Sequence, residues 1–165
     1  MLICGVPMKN IGLWVAGVVV VAGIGWFVWK VATAPVLSDE DLQRQELASC
    51  VQHNGVGMHI HPELSITIKG EKMEIPANTG ITGGCMHPIH THDDSGMLHL
   101  EFKTPRDVKV SEFFEMWGKR FDSECILDNC NGPDGTVKMK VNGQESTEFG
   151  NAVMRDHDQI EIVFE

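Results

Sequence analysis

Apolar and polar positions alternate or recur in three recognisable ways along this chain. From Ile11 to Trp29 there is no alternation at all: nineteen residues pass without a charge. At about 1.5 Å per residue, a helix of that length just crosses the hydrocarbon layer of a bilayer. Further on, Leu64-Ser65-Ile66-Thr67-Ile68-Lys69 alternates strictly, the period of a half-buried strand. Lys69-Gly70-Glu71-Lys72 reads as a tight turn and Met73-Glu74-Ile75 as the returning strand. Leu98, Leu100 and Phe102 alternate with Met97, His99 and Glu101 and predict another strand. Val110, Phe113, Phe114, Trp117 and Phe121 recur at helical spacing, with Ser111 as N-cap and Lys119 and Arg120 in the last turn. Val137, Met139 and Val141 alternate with lysines up to Asn142-Gly143, a hairpin turn signal, and Ile160, Ile162 and Phe164 mark a final strand.

These elements predict three segments: residues 1–30 as an N-terminal membrane anchor, 31–49 as a linker, and 50–165 as a soluble domain. Trp14, Trp26 and Trp29 stand near the ends of the apolar run, where amphipathic rings favour the interface, and Lys9 and Lys30 bracket it. Ala32-Thr33-Ala34 has the small residues of a signal-peptide cleavage site. The run is longer than a usual signal core, however, and Pro35 would follow the cut, so an uncleaved single-pass anchor spanning 11–29 is the reading adopted. Within the linker, Ser38-Asp39-Glu40-Asp41-Leu42 begins like a capped short helix with acids in its first turn. The soluble part reads as α+β, mostly strands with one amphipathic helix; an all-β sandwich of cupredoxin or cupin type is the alternative.

Charge narrows the partners. The net charge is −10, and all 23 Asp and Glu residues lie at or beyond Asp39. Such a domain has no electrostatic grip on nucleic acid or anionic lipid head groups. Five cysteines are present, and Cys4 precedes the apolar run, leaving Cys50, Cys85, Cys125 and Cys130. Cys125 with Cys130 and Cys50 with Cys85 is the preferred of three pairings, and thiolate metal ligation is the rival reading, weakened by the lack of a Cys-x-x-Cys. Disulfides imply an oxidising compartment and so place the C-terminal domain outside the cytoplasm, on a single-pass cell-membrane protein.

Candidate chemistry concentrates between Cys85 and Glu101, which hold four of the eight histidines, with a His-x-His pair upstream at His59 and His61. In extended backbone, residues i and i+2 share a face. His59 with His61, His90 with His92, and His99 with Glu101 therefore form three converging pairs, apolar residues occupying the opposite faces. Imidazole and carboxylate at this density are metal-ligating chemistry, against a hydrogen-bonded structural network as the alternative. The candidate ligands are His59, His61, His90, His92 and His99, with Asp93 and Glu101 as ligands or as partners orienting an imidazole. His53 and His157 read as polar surface residues, and His87 as a loop residue beside Pro88. Copper and zinc rank level and iron behind, because imidazole suits all three and the flanking Met58, Met86 and Met97 add only a mild copper signal.

The combination of Met58-His59-Ile60-His61-Pro62, the Cys85-Met86-His87-Pro88-Ile89-His90-Thr91-His92-Asp93 run, His99-Leu100-Glu101 and Phe113-Phe114-Glu115-Met116-Trp117-Gly118 resembles an uncharacterised family of membrane-anchored bacterial and archaeal extracytoplasmic proteins. The likeness spans roughly residues 50–165; it implies one unit and brings no activity with it. The hairpins at Leu64–Gly70 and Val141–Val163 resemble those of β-grasp (ubiquitin-like) domains, which would make 77–104 an insertion carrying the histidines. His-x-His resembles the start of the first cupin metal motif, but no second cupin-like motif follows. Three functions fit: an extracytoplasmic copper- or zinc-binding protein; a mononuclear metalloenzyme with a three-histidine and carboxylate site, Glu101 or Asp93 serving as general base; and an interaction subunit of a membrane complex whose protein partner is unknown. Catalytic residues are not assigned.

Overall fold

The computed structural model describes residues 38–165, together with Ile24 and Trp26. The expected anchor at 11–29, apart from those two residues, and Cys4 lie outside the described residues. Among the described residues no helix is long and apolar enough to cross a membrane. The compact unit runs from Glu40 to Glu165.

It is a mixed α+β domain, not the all-β sandwich held as the alternative. Its larger sheet has five strands: β2 (Glu63–Ile68), β3 (Glu71–Met73), β10 (Val137–Val141), β11 (Gln144–Glu145) and β12 (Gln159–Phe164), in the order β11-β10-β12-β2-β3. The C-terminal strand β12 lies at the centre, parallel to β2 and antiparallel to β10. Two tight turns fix the hairpins. Lys69 and Gly70, at φ 51° and 85°, close β2 to β3, and Asn142 and Gly143, at 53° and 77°, close β10 to β11. Consecutive left-handed residues match the right-handed twist of the paired strands. The first hairpin is tighter than the sequence suggested: the returning strand starts at Glu71, directly after the turn, and ends at Met73.

Leu64, Ile66, Ile160, Ile162, Phe164, Val137 and Met139 turn one face of this sheet inward. Helix α2 (Val110–Trp117) covers that core with Val110, Phe113 and Phe114, which are essentially inaccessible. Each such buried side chain contributes roughly 1.5–3 kcal/mol relative to exposure. The helix begins two residues earlier than the sequence suggested. Lys109, not Ser111, is the N-cap, and Glu112 reaches back so that its carboxylate accepts the Lys109 backbone N–H at 2.8 Å. Gly118 ends it in the left-handed conformation, so Lys119 and Arg120 fall beyond the helix. Phe121 also falls beyond the helix, in a bridge to Ile126, but its ring still packs 4.8 Å from that of Phe114 in the core.

A second helix, α1 (Asp39–Leu47), forms inside the span read as linker, and its Leu47 joins the core. Both disulfides read from the sequence are present, Cys50–Cys85 and Cys125–Cys130. The second closes the two-stranded pair β8 (Cys125–Ile126) and β9 (Asn129–Cys130).

The remaining strands carry the site. β1 (Met58–Ile60), β6 (Ile89–His90) and β7 (His99–Phe102) form a three-stranded antiparallel sheet with β7 in the middle; β4 (Ile81–Thr82) and β5 (Cys85–Met86) make a separate small hairpin. Leu98, Leu100, Phe102 and Ile89 bury one face of the three-stranded sheet in the same core as α2. A Glu63–Met97 bridge and the Leu64 N–H donating to the Gly96 carbonyl at 2.9 Å tie this sheet to β2. Gly96 sits at φ +93°, with the Leu64 carbonyl where a Cβ would be, so glycine is required there.

Candidate metal centre

Register places the histidines. Across the small sheet Ile60, Leu100 and Ile89 form one row on the core face. On the other face His59 stands opposite Glu101, and His90 opposite His99. The three i, i+2 pairs of the sequence thus meet because β7 runs between the other two strands. A one-residue slip would send every imidazole into the core, so the apolar row also enforces the ligand row.

Each segment is held by contacts away from the imidazoles. Thr91, fully buried between His90 and His92, points the opposite way. Its hydroxyl donates to the Pro76 carbonyl at 2.8 Å and accepts the Thr79 N–H at 3.1 Å. Gly80, at φ +76°, packs its backbone against the Ile89 carbonyl, where a Cβ would collide. His90 Nδ1–H donates to the His87 carbonyl at 2.9 Å. That bond fixes the tautomer and leaves the Nε2 lone pair facing the cluster, the arrangement in which a backbone carbonyl orients a metal-binding imidazole.

His90 Nε2 lies 3.3 Å from His92 Nε2 and 3.9 Å from Glu101 Oε1. Metal–imidazole bonds of about 2.0–2.1 Å at a tetrahedral angle separate two nitrogens by about 3.3–3.4 Å, so this spacing matches the bite a cation requires. Three groups have donor atoms all within 4.8 Å of one another: His59, His61 and His99; His90, His92 and His99; and His53, His59 and Glu101. Any of them can hold a metal ion.

Glu101 is completely buried, as is His90. Its Oε1 accepts from His53 Nδ1 at 2.7 Å and lies 3.1 Å from His59 Nε2. Its Oε2 is buried with no hydrogen-bond partner, and His99 Nδ1 is likewise buried and unpartnered. Such orphaned atoms are rare and costly in native interiors. Both are potential ligand atoms within one cluster.

Electrostatics keeps part of the set neutral. Burial pushes the His99 imidazole down to about 4, reinforced by the neighbouring His90, His92 and His61. Burial also lowers His90, and it lowers His61, with His59 adding to the effect. A neutral imidazole offers the lone pair that a cation needs.

The structure brings together all five histidines singled out from the sequence, and Glu101 with them. Asp93 is different: it is exposed, its Oδ1 accepts the Ser95 N–H at 3.0 Å, and it belongs to none of the three groups. Hydrogen bonds from Ser95 hold its carboxyl below the usual carboxylate range. His87 Nδ1 is spent on the Ser49 carbonyl at 3.2 Å, and the exposed His157 lies 3.4 Å from Asp156.

His53 corrects the sequence reading. It is exposed, as a surface residue should be, with 53% of its side chain accessible, yet it stands in the cluster on Glu101. It has no His-x-His partner to flag it. The available signal was Cys50, three residues earlier. Its bridge to Cys85, with the Val51 N–H donating to the Met86 carbonyl at 2.8 Å, carries residues 50–53 to the same place as the later histidines.

No protein-family model, curated protein or solved structure matches the chain. Fold and site together define a class: a small disulfide-bonded α+β domain whose histidine groups can hold a transition-metal ion.

Proposed function

We infer that this chain is a membrane-anchored, extracytoplasmic protein that binds copper or zinc through the histidine face of its three-stranded sheet. The observation carrying the reading is the convergence of His53, His59, His61, His90, His92, His99 and Glu101 from three strands and a loop, with two buried ligand atoms left without hydrogen bonds. A hydrogen-bonded structural network would not leave its central carboxylate half satisfied. His90, His92 and His99 are the primary ligands, with His59, His61 and Glu101 beside them. Nitrogen-rich ligation with a carboxylate suits copper and zinc, and iron less well.

Two features support this location. The apolar span at residues 11–29 supports a single-pass anchor, and the two disulfides favour an oxidising compartment for the folded unit. The β11-β10-β12-β2-β3 order, with a parallel central pair and a helix on one face, supports a β-grasp core into which β4–β7 is inserted. Fold alone assigns no activity.

One observation favours a metalloenzyme as second reading: His53 and His59 are 53% and 38% exposed, so the outer side of the cluster is open to solvent and to a small substrate. Elemental analysis of the purified chain, followed by chelation and reloading with copper, zinc or iron alone, tests the main reading. Copper or zinc should be retained stoichiometrically, and the His90→Ala/His92→Ala double variant should retain less of it. Failure of all three metals to bind overturns the reading. An exchangeable water on a bound metal would favour the enzyme.

A further inference from the structure

The cluster contains more donors than one ion uses, and they divide. Two of its three groups share no residue: His90, His92 and His99 form one, and His53, His59 and Glu101 form the other. His61 stands between them, grouped with His59 of one set and His99 of the other. We propose that the site is dinuclear, an inner ion on His90, His92 and His99 and an outer ion on His53, His59 and Glu101, with the Glu101 carboxylate between the two. This rests on the reading that the cluster binds metal.

Three facts support two positions over one. The inner rings are close, with centroids at 4.8 Å for His90–His92 and 4.6 Å for His92–His99. Between the sets they open out, to 5.9 Å for His53–His92 and His59–His99 and 6.4 Å for His53–His90; the outer pair His53–His59, also 5.9 Å apart, is joined through Glu101 Oε1. Glu101 is placed to serve both: Oε1 lies 2.7 Å from His53 Nδ1, 3.1 Å from His59 Nε2 and 3.9 Å from His90 Nε2. Its Oε2 and His99 Nδ1 are buried without partners, and one ion at either position would leave a donor of the other set unused. The two positions also differ in access. The inner one joins the fully buried His90 and half-buried His99 to the exposed His92, whereas the outer one joins the exposed His53 and His59 to the fully buried Glu101. With two exposed imidazoles against one, the outer ion is the more exchangeable.

The full-length chain, purified in detergent and stripped with chelator, would be titrated with zinc(II) alone and, separately, with copper(II) alone. Saturation is expected at two equivalents, with copper(II) spectra showing magnetic coupling between neighbouring ions. Glu101→Gln and, independently, the exposed His53→Ala are each expected to saturate at one equivalent and give an uncoupled mononuclear copper signal. His53 is open to solvent, so that variant keeps its fold and keeps the test decisive if Glu101→Gln is unstable. Saturation of the unaltered chain at one equivalent, two ions in the His53→Ala variant, or loss of both ions from it would overturn the proposal. Binding of no ion at all would instead overturn the metal-binding reading beneath it.

Discussion

Individual side chains divide the eight histidines by role. His90 and His92 present Nε2 atoms at a tetrahedral bite, whereas His157 is outside the cluster and 81% exposed. His90→Ala/His92→Ala should therefore remove the inner ion, and His157→Ala should leave metal content unchanged, as read by elemental analysis. His99 supplies a pH dependence. Folding lowers its imidazole from 6.5 to about 4, so between those values the unfolded chain takes up a proton that the folded chain refuses. Stability of the metal-free protein is whole above pH 6.5 and falls as pH drops toward 4, with His61 and His90 acting in the same direction. Denaturant midpoints in chelator should be lower at pH 4.5 than at pH 7.5, and equal midpoints would contradict the lowered imidazole. The histidine pairs were legible in the sequence because strand periodicity puts i and i+2 on one face. His53 was not, because a loop residue has no period, and only a specific disulfide brings it in.

Secondary-structure elements translate those contacts into a fixed site. Thr91 anchors the His90–His92 segment to the Pro76–Gly80 turn through two hydrogen bonds. Thr91→Val keeps the shape and removes both, leaving the Thr79 N–H unpaired and the Pro76 carbonyl with only the Thr79 hydroxyl, at a cost of about 1 kcal/mol for each lost bond. Its expected signature is a lower denaturant midpoint together with weaker metal affinity; reduced stability at unchanged affinity would mean that Thr91 supports the fold alone. The Cys50–Cys85 bridge closes a loop of 35 residues. In the chain-entropy model its loss costs about 4 kcal/mol. Cys50→Ser/Cys85→Ser should destabilise by that order in chemical denaturation and also free His53 from Glu101. Amphipathic alternation made β2, β10, β12 and the α2 stripe readable, but helix ends were not. Lys109 caps α2 because Glu112 folds back on its N–H, a contact that spacing alone does not distinguish from a Ser111 cap.

Across the whole domain, one core serves two sheets. The apolar faces of the five-stranded sheet and of β1-β7-β6 both close on α2, which leaves the polar face of the smaller sheet free to collect ligands. The sequence pattern reached the α+β class and the hairpins. Strand order was less legible, since the central parallel pairing of β12 with β2 joins residues nearly a hundred positions apart. The most direct test of the central claim is anomalous diffraction from crystals of the chain soaked in zinc(II) or copper(II), recorded at each metal's absorption edge. A peak about 2.0–2.2 Å from the nitrogens of His90, His92 and His99 is the predicted result. Anomalous density only at scattered surface residues, with none among these three imidazoles, would contradict it.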